Sequence, residues 1–146
     1  MPFLFPDVET VAEVLDSTGG EALNGVLAEL GLRGLAYGEL GFRYPTTSEG
    51  RAVTAPEDLE GLKIRTAGML EVSVAYVDCW GAELYPSSFL DVMTPLSAGY
   101  YDGQESTLAE ADAAGYQTVQ TDVTIFPAFY EPAILTMNSD LYDSLS

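Results

Sequence analysis

Apolar and polar side chains change their spacing several times along this chain, and each change marks a boundary between a predicted helix and a predicted strand. Residues 8–15 carry apolar side chains at helical spacing, and we predict Asp7 as the N-cap. Gly19–Gly20 is expected to stop this helix, and a second helix is predicted over 21–30. An apolar and aromatic run then predicts a strand at 32–40.

Turn-forming residues interrupt the pattern in the next segment. Pro, Thr and Ser residues predict a loop over 41–50. Thr54 is followed three residues later by Glu57, with Pro56 in the first turn, and this capping-box pattern predicts a short helix. That helix leads into a short strand at 63–66.

The second half continues as alternating helices and strands. A helix is predicted over 69–80 and ends at Gly81, and Trp80 is expected to pack between helix and sheet. Ser88 starts another capped helix, which Pro95 is expected to kink or end. The remaining predicted elements are strands at 82–85, 100–104, 118–126 and 133–137, a helix at 107–114 that ends at Gly115, and a helix that begins at Ser139. This order predicts an α/β fold with helices packed on a sheet.

Composition restricts the class of protein. With 47% hydrophobic residues and a mean hydropathy of +0.11, the 146-residue chain is long and apolar enough for a folded core. Its 23 Asp and Glu against 5 Lys and Arg give a net charge of −18, which repels nucleic acids and anionic membranes. Such acidity fits a protein from a salty environment, and equally a lineage whose exported proteins are acidic. An anion site in this chain must therefore be organised locally.

Residues that usually carry catalysis are scarce. The chain has no His and one Cys, so we expect no serine triad, no thiol–imidazole pair, no intrachain disulfide and no multi-cysteine zinc site. Cys79 lies in an apolar stretch and is predicted to be a buried, inert thiol. The sequence has neither a glycine-rich phosphate loop nor a calcium-loop pattern, and we expect no cofactor and no metal.

Arg65 is the strongest candidate for a binding residue. It ends the run Gly61-Leu-Lys-Ile-Arg65 in a chain where cations are rare. A guanidinium matches a carboxylate through two parallel hydrogen bonds, so an Arg at a strand end can anchor an organic acid. The alternative is an Arg that is solvated or paired with one of the chain's own carboxylates.

Four segments, taken together and in order, resemble the extracytoplasmic solute-binding proteins of TRAP transporters. They are Pro2-Phe-Leu-Phe5, Gly41-Phe-Arg43, the segment from Thr54 to Arg65, and Asp102-Gly-Gln-Glu105. The resemblance covers nearly the whole chain and implies a periplasmic-binding-protein-like fold of two α/β lobes joined by crossing strands. It also implies that Arg65 clamps the carboxylate of the ligand.

The resemblance implies further ligand contacts. Arg43 corresponds to a second basic contact, and the alternative is an ion pair with Glu39 or Glu49. Phe89 corresponds to an aromatic residue that packs on the ligand, and the alternative is a core position. Gln104 lies in the segment that the family places beside the ligand.

Two departures from the family pattern change the expected ligand chemistry. Ser106 stands where relatives usually have Asn, and the region of Phe126 lacks the His that many relatives have. Tyr130 helps to make that region aromatic, which suits a ligand with an aromatic or longer apolar part, although core packing is the alternative. Gly103 is expected to allow a tight turn, and Glu105 to hold structure rather than touch the ligand.

By this resemblance the chain is the middle of the family fold and holds mostly the second lobe plus part of the first. We expect residues 1–42 to form a first-lobe and hinge portion, 43–126 the second-lobe α/β portion, and 127–146 the returning crossing strand and the start of a helix. No secretory signal is visible, which the resemblance attributes to truncation. Uncovered apolar lobe surface would then need the missing segments, or self-association, for stability.

The expected function is capture of a small organic anion, such as a dicarboxylate, a keto acid, a sugar acid or an aromatic acid. Two lobes would close on it in the periplasm or an equivalent extracytoplasmic space and deliver it to the membrane subunits of a TRAP-type secondary transporter. Enzymatic activity is not expected. The alternatives are an acidic extracytoplasmic interaction protein without a small ligand and, less favoured, a hydrolase that uses paired carboxylates.

Overall fold

The chain folds into a mixed α/β structure that divides into two compact units. The computed structural model describes residues 2–68, 72 and 74–145. The first unit comprises Met1–Leu4 and Phe42–Tyr130, and the second comprises Phe5–Gly41 and Glu131–Ser146. The predicted α/β class with an open sheet is confirmed. Within the described residues, no helix is long and apolar enough to cross a membrane.

The regular elements are short. In chain order, the helices are α1 (Val8–Leu15), α2 (Thr18–Glu29), α3 (Met93–Ser97), α4 (Leu108–Ala113) and α5 (Ser139–Ser144). The strands are β1 (Leu32–Thr47), β2 (Lys63–Thr66), β3 (Glu83–Pro86), β4 (Gly103–Thr107), β5 (Asp122–Val123) and β6 (Phe129–Asn138). Turns of 3₁₀ helix cover Pro56–Leu59, Phe89–Asp91 and Tyr116–Thr118, and a π-helical turn covers Val74–Cys79.

Local capping signals in the second unit are confirmed. The carboxylate of Asp7 accepts a hydrogen bond of 2.8 Å from the main-chain N of Thr10 at the start of α1. Because Thr10 donates to it, the pKa of the Asp7 carboxyl is lowered. Helix α5 begins at Ser139 as predicted, with the side chain of Asn138 accepting a hydrogen bond of 2.9 Å from Leu141 N.

The prediction that Gly19 and Gly20 stop the first helix was wrong, because both lie inside α2. A Cβ on Gly20 would collide with the main-chain oxygen of Leu15. These glycines therefore allow the start of α2 to approach the end of α1 closely.

The first unit is organised around an open sheet in the order β3-β2-β4-β1-β5, with β6 pairing with β1 off this path. Strand β2 is parallel to both β3 and β4, whereas β1 is antiparallel to β4 and β5. Parallel neighbours need crossover connections. The turn at Val74–Cys79 lies between β2 and β3, and α3 lies between β3 and β4.

Apolar side chains of the first unit form two buried clusters. The larger one contains Val53, Leu59, Leu62, Ile64, Val72, Ala75, Tyr76, Ala82, Ala128 and Phe129. The smaller one contains Val92, Leu96, Ala111 and Tyr116. Trp80 packs against the larger cluster, with its ring centroid 5.0 Å from that of Tyr76, which confirms its predicted packing role.

The loop predicted at 41–50 was wrong, because β1 continues to Thr47. Its polar side chains, such as Arg43, bond to groups on β4 instead of solvent, and these partners are distant in sequence. Strand β4 begins at Gly103 rather than at Tyr100, the predicted start.

The strand predicted at 118–126 is reduced to Asp122–Val123. Gln120 turns inward just before it, and its amide nitrogen donates to Ser48 Oγ at 2.8 Å. This contact of a polar side chain with the interior interrupts the strand that the alternating pattern had predicted.

The capping box predicted at Thr54 and Glu57 uses a different carboxylate. Asp58 Oδ2 accepts hydrogen bonds from Thr54 N, Thr54 Oγ1 and Ala55 N, at 2.8, 2.8 and 3.0 Å. These bonds lower the pKa of the Asp58 carboxyl. The segment is a 3₁₀ turn, in which a carboxylate one residue further along reaches the free N–H groups.

The helix predicted from Ser88 is a 3₁₀ turn followed by α3. Pro95 does not end α3, since it lies in the first turn, where the N–H that proline lacks has no intrahelical partner.

The helix predicted over 69–80 is only partly visible, since residues 69–71 and 73 lie outside the described part of the chain. Its visible end is a π-helical turn. Cys79 is exposed, so the prediction of a buried thiol was wrong. The widened π-helical turn buries Ala75 and Tyr76 instead.

Candidate ligand-binding site

Two adjacent parallel strands position the residues of the site. Arg65 on β2 is the register partner of Gln104 on β4. Side chains alternate across a strand, so Arg65, Gln104 and Ser106 belong to one face of the sheet. Thr66 and Glu105 belong to the other face.

Arg65 is a buried cation with neutral hydrogen-bond partners. Its side chain is 2% exposed, and Nε donates to the main-chain oxygen of Ser87 at 3.1 Å, with Nη2 donating to the same oxygen. In the described part of the chain, it makes no ion pair with a carboxylate. Burial lowers the pKa of the Arg65 guanidinium, and the nearby Tyr116 and Glu105 partly oppose this shift. Arg65 is therefore not solvated, and it has no direct carboxylate partner among the described residues, in contrast to both alternatives.

Arg43, in contrast, is fully engaged with a carboxylate. Its Nε lies 2.6 Å from Glu105 Oε2 and its Nη2 lies 3.0 Å from Oε1, which makes a bidentate pair with both side chains buried. A third hydrogen bond of 3.0 Å reaches the main-chain oxygen of Glu105, and Glu110 lies 3.7 Å from Nη1. Thr66 Oγ1 donates to Glu105 Oε1 at 2.9 Å. Arg43 thus forms an ion pair with Glu105. The alternative predicted from the sequence was an ion pair with Glu39 or Glu49 instead.

Gln104 belongs to a chain of side-chain hydrogen bonds with a fixed direction. Its Nε2 donates to Thr46 Oγ1 at 2.8 Å, and Thr46 Oγ1 donates to Gln120 Oε1 at 3.2 Å. In this arrangement the Thr46 hydroxyl donates to Gln120, so Gln104 presents its nitrogen to Thr46 and its oxygen points elsewhere. Gln104 Oε1 is buried and has no hydrogen-bond partner in the described part of the chain.

Ser106 and Gly103 occupy tight positions on the same strand. Ser106 is buried, and its hydroxyl donates to the main-chain oxygen of Thr107 at 3.1 Å. Gly103 does not form the predicted tight turn. It starts β4, where a Cβ would collide with the main-chain oxygen of Thr46, so glycine is needed for close strand approach.

Tyr116 and Ser87 are site neighbours that the sequence did not indicate. Tyr116 is 1% exposed, and neither its hydroxyl nor the buried Ser87 Oγ has a hydrogen-bond partner within residues 2–68, 72 and 74–145. Burial raises the pKa of the Tyr116 phenol, and the charge of Arg65 opposes that rise, which reflects their proximity. Ser87 directly follows a strand parallel to β2, and that position could have indicated it. No local signal marks Tyr116.

The two predicted aromatic contacts lie in different settings. Phe89 is 39% exposed, and its ring centroid is 6.0 Å from that of Tyr116. Tyr130 lies on β6 and packs edge-on against Phe42, with ring centroids 5.2 Å apart.

A buried guanidinium at the end of a parallel strand, with hydroxyl and amide groups on neighbouring residues, is chemically suited to contact a carboxylate. Residues 1–146 match the family described as bacterial extracellular solute-binding protein, family 7, and the chain belongs to this family. It is a family of solute-binding proteins and not of enzymes.

Relatives agree with this membership. A solute-binding protein from Verminephrobacter eiseniae is 38% identical over 145 residues, which cover 99% of this chain and 43% of the relative. The 2,3-diketo-L-gulonate-binding periplasmic protein YiaO of Escherichia coli is 34% identical over 146 residues, which cover 100% of this chain and 44% of YiaO.

A solved TRAP periplasmic solute-binding protein from Polaromonas sp. JS666, bound to D-erythronate, has a TM-score of 0.91 and 34% identity. The match covers 100% of this chain and 48% of that one. The chain spans less than half the length of these relatives.

Proposed function

We propose that this chain supplies part of an extracytoplasmic receptor that captures a small organic acid and passes it to the membrane subunits of a TRAP-type secondary transporter. The carboxylate of the ligand binds Arg65. Two relatives support this proposal, since one is named for 2,3-diketo-L-gulonate and the other was solved with D-erythronate. Both ligands are small carboxylic acids, and both relatives are named as periplasmic proteins.

The burial of Arg65 without a carboxylate partner is the observation that carries the proposal. The chain has 23 Asp and Glu residues, yet the guanidinium bonds only to a carbonyl oxygen among the described residues. A buried charge is costly unless an opposite charge compensates it. The carboxylate of a bound organic acid supplies that charge and matches the guanidinium fork.

The remaining site residues have supporting roles in this proposal. Gln104 and Ser106, which share the face of Arg65, offer polar contacts to the ligand. Phe89 and Tyr130 offer apolar surface, consistent with the partial exposure of both. Arg43 adds positive charge near the site, but its bidentate carboxylate partner makes it a positioning residue and not the clamp.

Binding would favour a closed state of the receptor, because the ligand contacts both sides of the site only in that state. The transporter would receive the ligand from the closed receptor.

Isothermal titration of the 146-residue chain with D-erythronate, succinate, pyruvate and benzoate tests this function. At least one acid is expected to bind, and Arg65→Met is expected to weaken it by about 30-fold or more, since a desolvated charge contact is lost. The matched control is Arg51→Met, because the Arg51 side chain is 55% exposed and pairs with Asp102 at 3.3 Å. This control should keep affinity within about twofold.

A melting measurement without ligand separates loss of binding from loss of fold. Arg65→Met should change the melting temperature by only a few degrees, since removal of a buried charge without a carboxylate partner offsets the loss of its hydrogen bonds to Ser87 O. If no acid binds, or if Arg65→Met binds as well as the unmodified chain, the proposed function is wrong. An acidic interaction protein would then be the better interpretation.

A further inference from the structure

The cations of this chain leave one guanidinium for an anionic ligand. Among the five Lys and Arg residues, Arg43 is paired with Glu105 and Arg51 with Asp102. Arg33, in the second unit, lies over the ring of Tyr142, with Cζ 4.6 Å from the ring centroid. Lys63 is exposed at the start of β2. Counting partners among the described residues, only Arg65 combines deep burial with neutral hydrogen-bond partners.

Three neutral polar atoms on residues near Arg65 have no partner among the described residues. Ser87, whose main-chain oxygen accepts from Arg65, has a buried hydroxyl without a hydrogen bond. So does Tyr116, whose ring centroid lies 6.0 Å from that of Phe89, two residues after Ser87. Gln104, the register partner of Arg65, has an unpartnered Oε1. Buried polar groups in folded proteins are normally hydrogen-bonded, so three unpartnered atoms on residues that neighbour one buried cation favour a polar ligand there.

The type of unpartnered atom restricts that ligand. Gln104 Oε1 can only accept a hydrogen bond, and an ionised carboxylate has no proton to donate. The second carboxylate of a dicarboxylic acid would therefore lie against the acceptor Gln104 Oε1, with no second cation to compensate its charge. A ligand hydroxyl donates to Gln104 Oε1 and also accepts from a tyrosine or serine hydroxyl.

We propose, resting on the function proposed above, that this site prefers hydroxylated monocarboxylic acids over dicarboxylic acids. Arg65 binds the single carboxylate, and Tyr116 Oη, Ser87 Oγ and Gln104 Oε1 bind the hydroxyl groups next to it. Tyr116 is then a specificity-determining residue of the receptor. The ring of Phe89, 6.0 Å from that of Tyr116, covers the carbon chain of the ligand.

Three acids with four carbons each test this preference by titration calorimetry on the 146-residue chain. D-Erythronate carries one carboxylate and hydroxyls, succinate carries two carboxylates, and butyrate carries one carboxylate and no hydroxyl. Erythronate is expected to bind at least about tenfold more tightly than the other two, since only it can pair the buried polar atoms.

Tyr116→Phe tests the residue, because it removes the hydroxyl and keeps the packed ring. It should weaken erythronate binding by about tenfold and leave butyrate binding unchanged. Tyr100→Phe is the matched control, since Tyr100 is 72% exposed, and it should change neither. The melting temperature without ligand should not fall in Tyr116→Phe, because the lost hydroxyl had no partner.

The outcomes separate the two proposals. Succinate binding as tightly as erythronate, with both lost in Arg65→Met, overturns the preference and leaves the receptor function intact. An equal loss for all three acids in Tyr116→Phe overturns the role of Tyr116, because the hydroxyl would then act on the carboxylate or the fold. Failure of every acid to bind rejects the receptor function and the preference with it.

Discussion

Arg43 and Arg65 are both buried, and their partners give them different roles. Arg43 has a bidentate carboxylate partner 62 residues away, whereas Arg65 bonds to a carbonyl oxygen. A buried charge compensated within the chain mainly supports the fold. A buried charge without such compensation is suited to an anion from outside. The residue type alone does not distinguish the two cases.

Replacing Glu105 with Gln tests the structural role of the Arg43 pair. The change removes the bidentate carboxylate from the buried guanidinium and leaves Glu110, at 3.7 Å, as a more distant counter-charge, so the free energy of unfolding should fall by about 2–4 kcal/mol. Urea denaturation measures this change. Glu49→Gln is the control, since Glu49 is exposed, and it should stay within about 0.5 kcal/mol. A loss below about 1 kcal/mol in Glu105→Gln would show that the pair is not important for stability.

Strands β1 and β4 approach each other closely at one point, and this contact sets the register of the site. Gly103 pairs with Thr47, and a Cβ on Gly103 would lie 2.9 Å from Thr47 Cγ2 besides colliding with Thr46 O. The following residues of β4 are Gln104, Glu105 and Ser106, so this glycine fixes where each side chain points.

Two glycine-to-alanine changes with opposite expected signs test this packing. Gly103→Ala should destabilise the chain by about 1–3 kcal/mol, because backbone atoms must move. Gly25→Ala, in α2, meets nothing within 4 Å and should stabilise the chain by about 0.5–1 kcal/mol through helix propensity. Urea unfolding of both variants measures the difference. Equal effects of the two changes would contradict close strand approach at Gly103.

The net charge of −18 dominates the chain as a whole. Self-repulsion of this size opposes compaction, and dissolved salt screens it. Large apolar side chains such as Leu90, 89% exposed, and Leu145, 71% exposed, lie on the surface. Screening of the negative charge by salt would also favour contacts between the apolar surfaces of two copies of the chain. Self-association stays a prediction.

Salt is therefore expected to stabilise this chain. Its melting temperature should rise by about 3–8 °C between about 0.05 and 1 M NaCl, because screening relieves repulsion in the folded state. Differential scanning calorimetry measures the rise. A double variant, Glu13→Lys and Glu29→Lys, reduces the negative charge at exposed helix positions and should show a smaller rise. An equal rise in both proteins would point to a general salt effect instead of charge screening.

Elements with strong local signals could be predicted from the sequence. The α1 cap at Asp7, the strand Lys63–Thr66 and the end of α4 at Gly115 match the structure. The cap and the helix end depend on residues close in the chain, such as a cap bond to an N–H three residues away. The strand has a local apolar signal, although its pairing with β3 and β4 is long-range. The family resemblance added Arg65 as the clamp, and that role stays a prediction. The structure shows its guanidinium buried and bonded to the main-chain oxygen of Ser87.

The sequence by itself therefore determined the α/β class, the family and the best candidate for anion binding. Only the tertiary structure decided that Arg43 pairs with Glu105, that Gln104 Oε1 has no partner among the described residues, and that Tyr116 packs near Phe89. These features depend on the register of β1, β2 and β4, which brings together residues 39 to 62 positions apart. The spacing of residues along the chain does not predict such contacts, because they depend on which strands pair and in which register.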